Sequence, residues 1–192
     1  IIVSDTGCTI AWMAQAFEFK KGQRFIHAWN QTPMGYGLPA AIGAYYATGK
    51  RVVLVSGDGS FQMQNELATV AGTNLPIKII LLNNGGHAMC RQTQREWFGS
   101  KYDSTSVSGG LTFPNFLDLA RSYGIRSSRQ GSRKMAVIEN GWLDVDNKPS
   151  FLEVLIDQSH DVVPKLHATK PLEDLQPYLT PEQLAKEMYV ES

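Results

Sequence analysis

The sequence predicts an α/β fold with three layers, in which a mainly parallel sheet lies between two layers of helices. Two observations carry this prediction. Short apolar runs alternate with helix-like segments along the chain, and the runs at residues 52–55 and 77–82 are apolar at nearly every position. Continuous apolar runs are typical of parallel strands that are covered on both faces. In such sheets ligands bind beyond the carboxyl ends of the strands, so a functional site is expected there.

The predicted elements follow one another in the order that this architecture requires. Strands are predicted at residues 1–4, 25–28, 52–55, 77–82, 124–127 and 151–156. Helices are predicted at residues 9–17, 40–48, 60–71, 89–98, 113–123 and 129–139, and a capping-box sequence at residues 180–183 predicts a last short helix. The helix at residues 40–48 is built from small residues, which allow close packing against a sheet or a partner.

Two further local predictions concern the region before the last two strands. Thr112 is expected to cap the helix at residues 113–123, with Pro114 in its first turn. Residues 100–111 are polar and rich in glycine, and we expect them to form a mobile loop.

Length and composition limit the classes of function. The chain has 192 residues with 18 basic and 18 acidic side chains, which gives no electrostatic basis for binding nucleic acid or an anionic membrane. No apolar run approaches the roughly 20 residues that cross a bilayer. Cys8 and Cys90 form neither a metal cluster nor a disulfide framework, so a reducing, cytoplasmic location is expected.

The chain is predicted to hold one main domain and a tail. Residues 1–157 form the domain, and the polar, proline-spaced residues 158–192 form a tail that packs on the domain or closes over its site. The sequence begins with isoleucine inside a predicted strand, and we interpret it as a domain taken from a longer protein.

Polar motifs follow the two most apolar strands. Asp58 lies between Gly57 and Gly59 directly after the strand at residues 52–55, where glycines let the backbone approach an anion and the helix that begins near Ser60 favours phosphate. A pair of asparagines and a pair of glycines, residues 83–86, follow the strand at residues 77–82. Carboxylate and carbonyl oxygens suit Mg²⁺. Each motif alone reads equally well as a turn, but their joint position at two strand ends favours a cation and diphosphate site.

This pattern resembles the signature of thiamine diphosphate (ThDP) enzymes, in which glycine-aspartate-glycine is followed at a similar interval by paired asparagines. The resemblance implies a ThDP-binding fold. It also implies that Asp58 and Asn84 bind Mg²⁺ through their side chains and Gly86 through its carbonyl, while Gly57, Gly59 and Ser60 contact the diphosphate. Enzymes close to acetolactate synthase have one residue more in this interval, and we place the gap within the helix, between Met63 and Glu66, where the ligands are undisturbed.

Residues 33–44 are similar to the acetolactate synthase subgroup nearly residue for residue. By this resemblance Met34 supports the cofactor between its two rings, and the main chain around Thr32 and Met34 bonds the aminopyrimidine; without the flanking motif Met34 reads as a core residue. Residues 5–9 occupy the loop that contacts the diphosphate in relatives. Acetolactate synthases often carry glutamine and histidine where this chain has Cys8 and Thr9.

The segment at residues 87–95 lines the substrate side of the cofactor in relatives. The resemblance implies that His87 and Ala88 contact the cofactor, although a catalytic or a structural role for His87 stays open. The substrate side is implied to include Met89, Gln92 and Thr93. Some acetolactate synthases have a tryptophan where Thr93 stands, and that tryptophan helps to select the second keto acid.

The family resemblance, which covers residues 3–157, implies a ThDP- and Mg²⁺-dependent carboligase. Such an enzyme decarboxylates pyruvate or a related 2-keto acid and transfers the acyl-anion equivalent to a second carbonyl. The alternative is a 2-keto-acid decarboxylase of the same superfamily. A noncatalytic subunit would have lost Asp58 or Asn84, and a Rossmann domain would carry a glycine fingerprint after the first strand that this chain lacks.

The resemblance also implies that this domain does not act alone. No catalytic residue is expected in it, because the glutamate that activates the cofactor lies on a pyrimidine-binding domain, usually from another subunit of a homodimer or tetramer. Glu66 is the best-placed local carboxylate and is expected to face the domain interface or solvent. FAD, if bound, would occupy another domain. We therefore expect the isolated chain to bind ThDP and Mg²⁺ weakly and to show no turnover.

Overall fold

The computed structural model describes residues 1–131, 147–167 and 169–188. The chain divides into two compact units, Ile1–His160 and Asp161–Ser192. The first unit contains a six-stranded sheet in which every strand pairing is parallel, in the order β2-β1-β3-β4-β6-β5. The strands are β1 (Ile2–Ser4), β2 (Phe25–Ile26), β3 (Val52–Gly57), β4 (Ile77–Asn83), β5 (Arg126–Gly131) and β6 (Ser150–Leu155). With helices on the sheet, this confirms the three-layer α/β fold.

Seven α-helices lie in the described part of the chain. They are α1 (Cys8–Ala16), α2 (Gly37–Thr48), α3 (Asp58–Phe61), α4 (Leu67–Gly72), α5 (Ala88–Trp97), α6 (Phe116–Ser122) and α7 (Pro181–Glu187). At α7 the predicted capping box is confirmed, since Thr180 and Gln183 exchange side-chain and backbone hydrogen bonds. None of the described helices has the length and apolar character needed to span a membrane.

The two central strands place the polar motifs side by side. β3 and β4 pair in parallel register from Val52 opposite Ile77 to Gly57 opposite Leu82. Their inward residues are almost completely buried, as expected for strands covered on both faces. Because parallel strands end at the same edge of a sheet, the loops that begin at Asp58 and at Asn84 emerge next to each other.

The prediction of one continuous helix at residues 60–71 is wrong. It consists of the single-turn helix α3 and the helix α4, separated at residues 62–66. The interruption has a tertiary cause. Gln64 lies in it with 6% of its surface exposed, and its side chain bonds Asp5 and the backbone of Leu38 instead of facing solvent.

Two predicted boundaries are also wrong. α6 begins at Phe116 with Asn115 as its N-cap, not with Thr112, because the proline at position 114 disfavours helical geometry in the residue before it. The predicted helix at residues 129–139 is a strand at its start, since β5 continues to Gly131 through its pairing with β6; residues 132–139 lie outside the described part.

The glycine-rich segment at residues 100–111 has more defined structure than expected for a mobile loop. The hydroxyl of Thr105 donates a hydrogen bond to Gln94 Oε1 of α5 at 2.6 Å, and Gln94 Nε2 donates one to the carbonyl of Asp103. A short 3₁₀ helix follows at Val107–Gly109. These bonds attach the segment to α5.

Candidate functional site

A pocket of about 210 Å³ opens at the carboxyl ends of β1, β3 and β4. It brings together most of the residues that the sequence predicted for cofactor binding. Those that line it are Cys8, Thr9, Met34, Gly57, Asp58, Gly59, Ser60, Asn84, Gly86, His87, Ala88 and, on the predicted substrate side, Met89.

Asp58 is held at the entrance of α3 by backbone groups from two loops. Its side chain is buried, Oδ1 accepts a hydrogen bond from Gly59 N at 2.8 Å, and Oδ2 accepts one from Gly86 N at 2.9 Å. Burial raises the pKa of Asp58 to about 6, although the backbone amides of Gly86, Gly59 and Gly85 and the charge of Arg91 act in the opposite direction. The amides beside Asp58 that were expected to bond an anion are therefore partly occupied by Asp58 itself.

Asn84 presents a side-chain oxygen that has no hydrogen-bond partner in the part of the chain that the structure describes. The residue is 8% exposed, and among the described residues no group donates a hydrogen bond to its buried Oδ1. A buried carbonyl oxygen without a donor is costly, on the order of 1–3 kcal/mol. The observation fits a site in which a cation contacts this oxygen.

Asn83, the first asparagine of the pair, has a different task. Its Nδ2 donates to Glu153 Oε1 at 2.7 Å, and its Oδ1 accepts from Gly85 N at 3.0 Å. The carboxylate of Glu153 is almost fully buried and also accepts a hydrogen bond from Arg129 Nε. Asn83 therefore fixes the turn that presents Asn84.

Gly86 stands where no side chain fits. A Cβ at this position would meet the guanidinium of Arg91 and the carbonyl oxygen of Thr105. Its carbonyl accepts a hydrogen bond from Ala88 N at 3.1 Å, and a carbonyl oxygen has a second lone pair for another ligand. Asp58, Asn84 and Gly86 thus offer three oxygens of the hard type that Mg²⁺ prefers, and they fit such an ion.

His87 and Met34 cover Gly59. A Cβ on Gly59 would meet the imidazole of His87 and the methyl group of Met34, so a glycine is required for this packing. Burial lowers the pKa of His87, and the positive charge of Arg91 lowers it further. The imidazole is therefore neutral near pH 7, and its buried Nε2 has no hydrogen-bond partner among the described residues.

The loop after β1 also lines the pocket. Thr9 is 3% exposed, and its hydroxyl lies 3.3 Å from the position that a Cβ on Gly57 would occupy. Cys8 is also buried and lines the pocket, at the first residue of α1. Cys8 and Thr9 thus add a thiol and a hydroxyl group to the residues that line the pocket.

Three predicted residues are placed outside the pocket lining. Thr32 is exposed, Gln92 is buried in α5, and Thr93 is exposed with its hydroxyl bonded to the carbonyl of Met89 at 3.1 Å. Their assigned roles in cofactor and substrate binding stay predictions.

Two lining residues, Trp12 and Leu82, lie outside every segment that the sequence predicted for the site, whereas Thr6, Gly7 and Cys90 belong to predicted segments but were not singled out as site residues. Trp12 lies four residues after Cys8, so helical spacing was a signal for it. Leu82 immediately precedes the asparagine pair and is the residue that β4 places opposite Gly57. Apolar lining of this kind was not marked by any motif.

The fold and the pocket are those of the cofactor-binding domain of ThDP-dependent enzymes: a parallel sheet with aspartate and asparagine loops at adjacent strand ends. Comparison with known proteins agrees. The family described as "Thiamine pyrophosphate enzyme, C-terminal TPP binding domain" matches residues 5–154, and the chain belongs to this family.

Similar proteins include acetolactate synthase large subunits. The protein of Lactococcus lactis is 35% identical over 170 residues, which is 88% of this chain and 29% of that relative. That of Porphyra purpurea is 41% identical over 133 residues, or 68% of this chain and 22% of the relative. The isozyme 2 large subunit of Escherichia coli is 35% identical over 166 residues, or 85% and 30%. The chain thus spans less than a third of the length of these relatives, and what it resembles is an acetolactate-synthase-like C-terminal domain.

Proposed function

We propose that this chain is the cofactor-binding domain of a ThDP- and Mg²⁺-dependent carboligase. The complete enzyme decarboxylates pyruvate or a related 2-keto acid and transfers the acyl-anion equivalent to a second carbonyl. Its relatives' name, acetolactate synthase, supports joining of two keto acids. The thiazolium ring of ThDP, when bound, supplies the electron sink for decarboxylation.

The observation that carries the proposal is the pair Asp58 and Asn84. Both are buried and line the pocket, and the hydrogen bond from Gly86 N to Asp58 connects the loop that follows Asn84 to the carboxylate. Asn84 Oδ1 has no donor in the described chain, while burial raises the pKa of Asp58. A divalent cation relieves both conditions, because it ligates the amide oxygen and favours the ionised carboxylate.

The other lining residues have roles that follow from their positions. Thr9 and Ser60 place hydroxyl groups in the pocket, where they would donate to a diphosphate. Met34 forms a flexible apolar support against which a bent cofactor would rest. Trp12, Leu82 and Met89 add apolar surface that excludes water from the reacting region.

The catalytic centre is completed, in this proposal, by a second domain. Among the described residues that line the pocket, Asp58 is the one carboxylate, and it is assigned to the cation. The activating glutamate is placed on a pyrimidine-binding domain, supplied by another subunit of a homodimer or tetramer. The isolated chain then binds cofactor weakly and turns over no pyruvate; sustained carboligation by it would contradict this arrangement.

The test is calorimetric titration of the full chain with ThDP in the presence and absence of Mg²⁺. Asp58→Ala should abolish the Mg²⁺-dependent binding, because it removes the charged ligand. Asp118→Ala is the matched control, since that aspartate is exposed on α6 and does not line the pocket. Binding by Asp58→Ala equal to that of the wild type would refute the assignment.

Product analysis of the assembled enzyme separates the carboligase from the decarboxylase of the same superfamily. A carboligase converts pyruvate to acetolactate or another ligated ketone, whereas a decarboxylase releases the free aldehyde.

A further inference from the structure

Asp5 is a buried carboxylate that the proposed site does not use. It follows β1 directly, its exposed fraction is 0%, and it is not among the residues that line the pocket. Oδ1 accepts a hydrogen bond from Thr6 N at 2.8 Å. Oδ2 accepts from Gly37 N at 2.9 Å, from Gln64 Nε2 at 2.7 Å and, more distantly, from Ser56 Oγ at 3.4 Å. These donors replace the hydration that the carboxyl group loses on burial.

Gln64 extends the same network. Its Oε1 accepts from Leu38 N at 3.1 Å, and its Nε2 also lies 3.3 Å from Ser56 Oγ and 3.4 Å from the carbonyl of Ser60. Gln64 makes these bonds from the stretch between α3 and α4 that is not helical. The interrupted helix is therefore the local structure that delivers this amide to Asp5.

The network joins three of the segments that form the pocket. Asp5 leads into the wall made by Thr6 to Thr9, and together with Gln64 it receives the first two amides of α2, directly after the segment that carries Met34. Through Ser56 and Ser60 it also reaches both sides of the Asp58 turn. The fourth segment, with Asn84 and Gly86, is attached to Asp58 by the hydrogen bond from Gly86 N.

The fit around Asp5 leaves little freedom. A Cβ on Gly37 would lie 2.7 Å from Asp5 Oδ2 and 2.7 Å from a methyl carbon of Leu54. Asp5 N also donates to the carbonyl of Val55 at 2.9 Å, so its backbone is held by β3. The bond to β3 thus fixes the position of the Asp5 carboxylate, and the hydrogen bonds to this carboxylate hold the loops around the pocket.

We propose that Asp5 and Gln64 are positioning residues for the cofactor. They set the spacing between the Met34 segment, the Thr6–Thr9 wall and the Asp58 turn, without touching the cofactor themselves. This inference rests on the proposed function, because it concerns the same pocket.

The test compares the ThDP affinity of variants of the full chain, measured by calorimetry with Mg²⁺ at saturation and corrected for the folded fraction seen by circular dichroism. Asp5→Asn places an amide group among donors, and Gln64→Leu keeps the volume of the side chain but removes its hydrogen bonds. Each should weaken ThDP binding by about tenfold or more, since bonds to a buried charged group are lost. Asp174→Asn is the matched control, because Asp174 is also a buried aspartate, but it is bonded to Leu179 N and Lys170 and to no segment that lines the pocket.

A charge exchange gives a readout that general loosening would not. Gln64→Glu alone sets two carboxylates across a contact that measures 2.7 Å in the wild type, and it should weaken ThDP binding at least as much as Asp5→Asn. The double variant Asp5→Asn with Gln64→Glu re-forms an amide-to-carboxylate bond, and it should recover part of the lost affinity.

The outcomes separate this inference from the proposed function. Wild-type affinity in folded Gln64→Leu or Asp5→Asn overturns the positioning role, as does a double variant weaker than both single variants. If Asp5→Asn does not fold, Gln64→Leu decides. Absence of Mg²⁺-dependent ThDP binding in the wild type, or its persistence in Asp58→Ala, instead refutes the cofactor assignment itself.

Discussion

Gly86 gives the sharpest test of how the loop that carries Asn84 and Gly86 is packed. Gly86→Ala adds one carbon atom that would meet the guanidinium of Arg91 and the carbonyl oxygen of Thr105. The carbonyl cannot withdraw freely, because it accepts a hydrogen bond from His87 N at 2.9 Å. Loss of that bond costs about 0.5–1.5 kcal/mol, and overpacking costs about 1–3 kcal/mol. We therefore expect the free energy of unfolding to fall by about 2–4 kcal/mol.

Gly43 provides the matched control with the opposite sign. It lies in the interior of α2, and a Cβ there would meet no atom within 4 Å. Gly43→Ala should raise the free energy of unfolding by about 0.5–1 kcal/mol, since alanine is the better helix former. Urea unfolding of both variants, followed by circular dichroism, measures the two changes. Equal effects of the two substitutions would refute the crowding argument at Gly86.

Two further predictions concern the ligands of the proposed cation. Burial raises the pKa of Asp58 from 3.8 to about 6, so a proton competes with Mg²⁺ for this carboxylate below that pH. The affinity for Mg²⁺ with ThDP should therefore fall about tenfold per pH unit below pH 6, which calorimetry on either side of pH 6 checks. In the metal-free chain, the contribution of Asp58 to stability is present below its ordinary pKa and is lost as the pH rises through about 6. Asn84→Ala should weaken Mg²⁺-dependent ThDP binding by at least about tenfold. The free energy of unfolding should change by less than about 1 kcal/mol, because Oδ1 accepts no hydrogen bond within the described chain. A large loss of stability with normal binding would contradict the cation role.

Much of the architecture was predictable from the apolar pattern. All six strands were located, because runs such as residues 77–82 can be satisfied only inside a sheet covered on both faces. Helix boundaries were less predictable. The interruption between α3 and α4 depends on Gln64 meeting Asp5, which is 59 positions away in sequence, and no local rule encodes such a contact. β5 was underestimated because Arg129 is stabilised by Glu153 across the sheet and not by its neighbours in sequence.

The candidate pocket was predictable to the extent that glycine and asparagine motifs mark strand ends. The motifs located Asp58, Asn84 and Gly86, and the structure places all three on one pocket. They gave no information about the residues that hold these loops in place. Asp5 and Glu153 hold these loops through long-range hydrogen bonds, which become visible only when the chain is folded.

Buried hydrogen-bond networks explain how the loops that line the pocket are held in place. Away from the pocket, the buried carboxylates of Asp5 and Glu153 are fully engaged by donors from distant segments. At the pocket, Asn84 Oδ1 and His87 Nε2 have no partner in the described chain, and Asp58 has a raised pKa. Unmet polar groups on a flexible loop would turn toward water or toward each other. The buried networks prevent this by fixing the backbone on both sides of the loops, so that the polar groups without a partner stay at the pocket. A ligand that bonds these groups offsets the free-energy cost of leaving them without a partner.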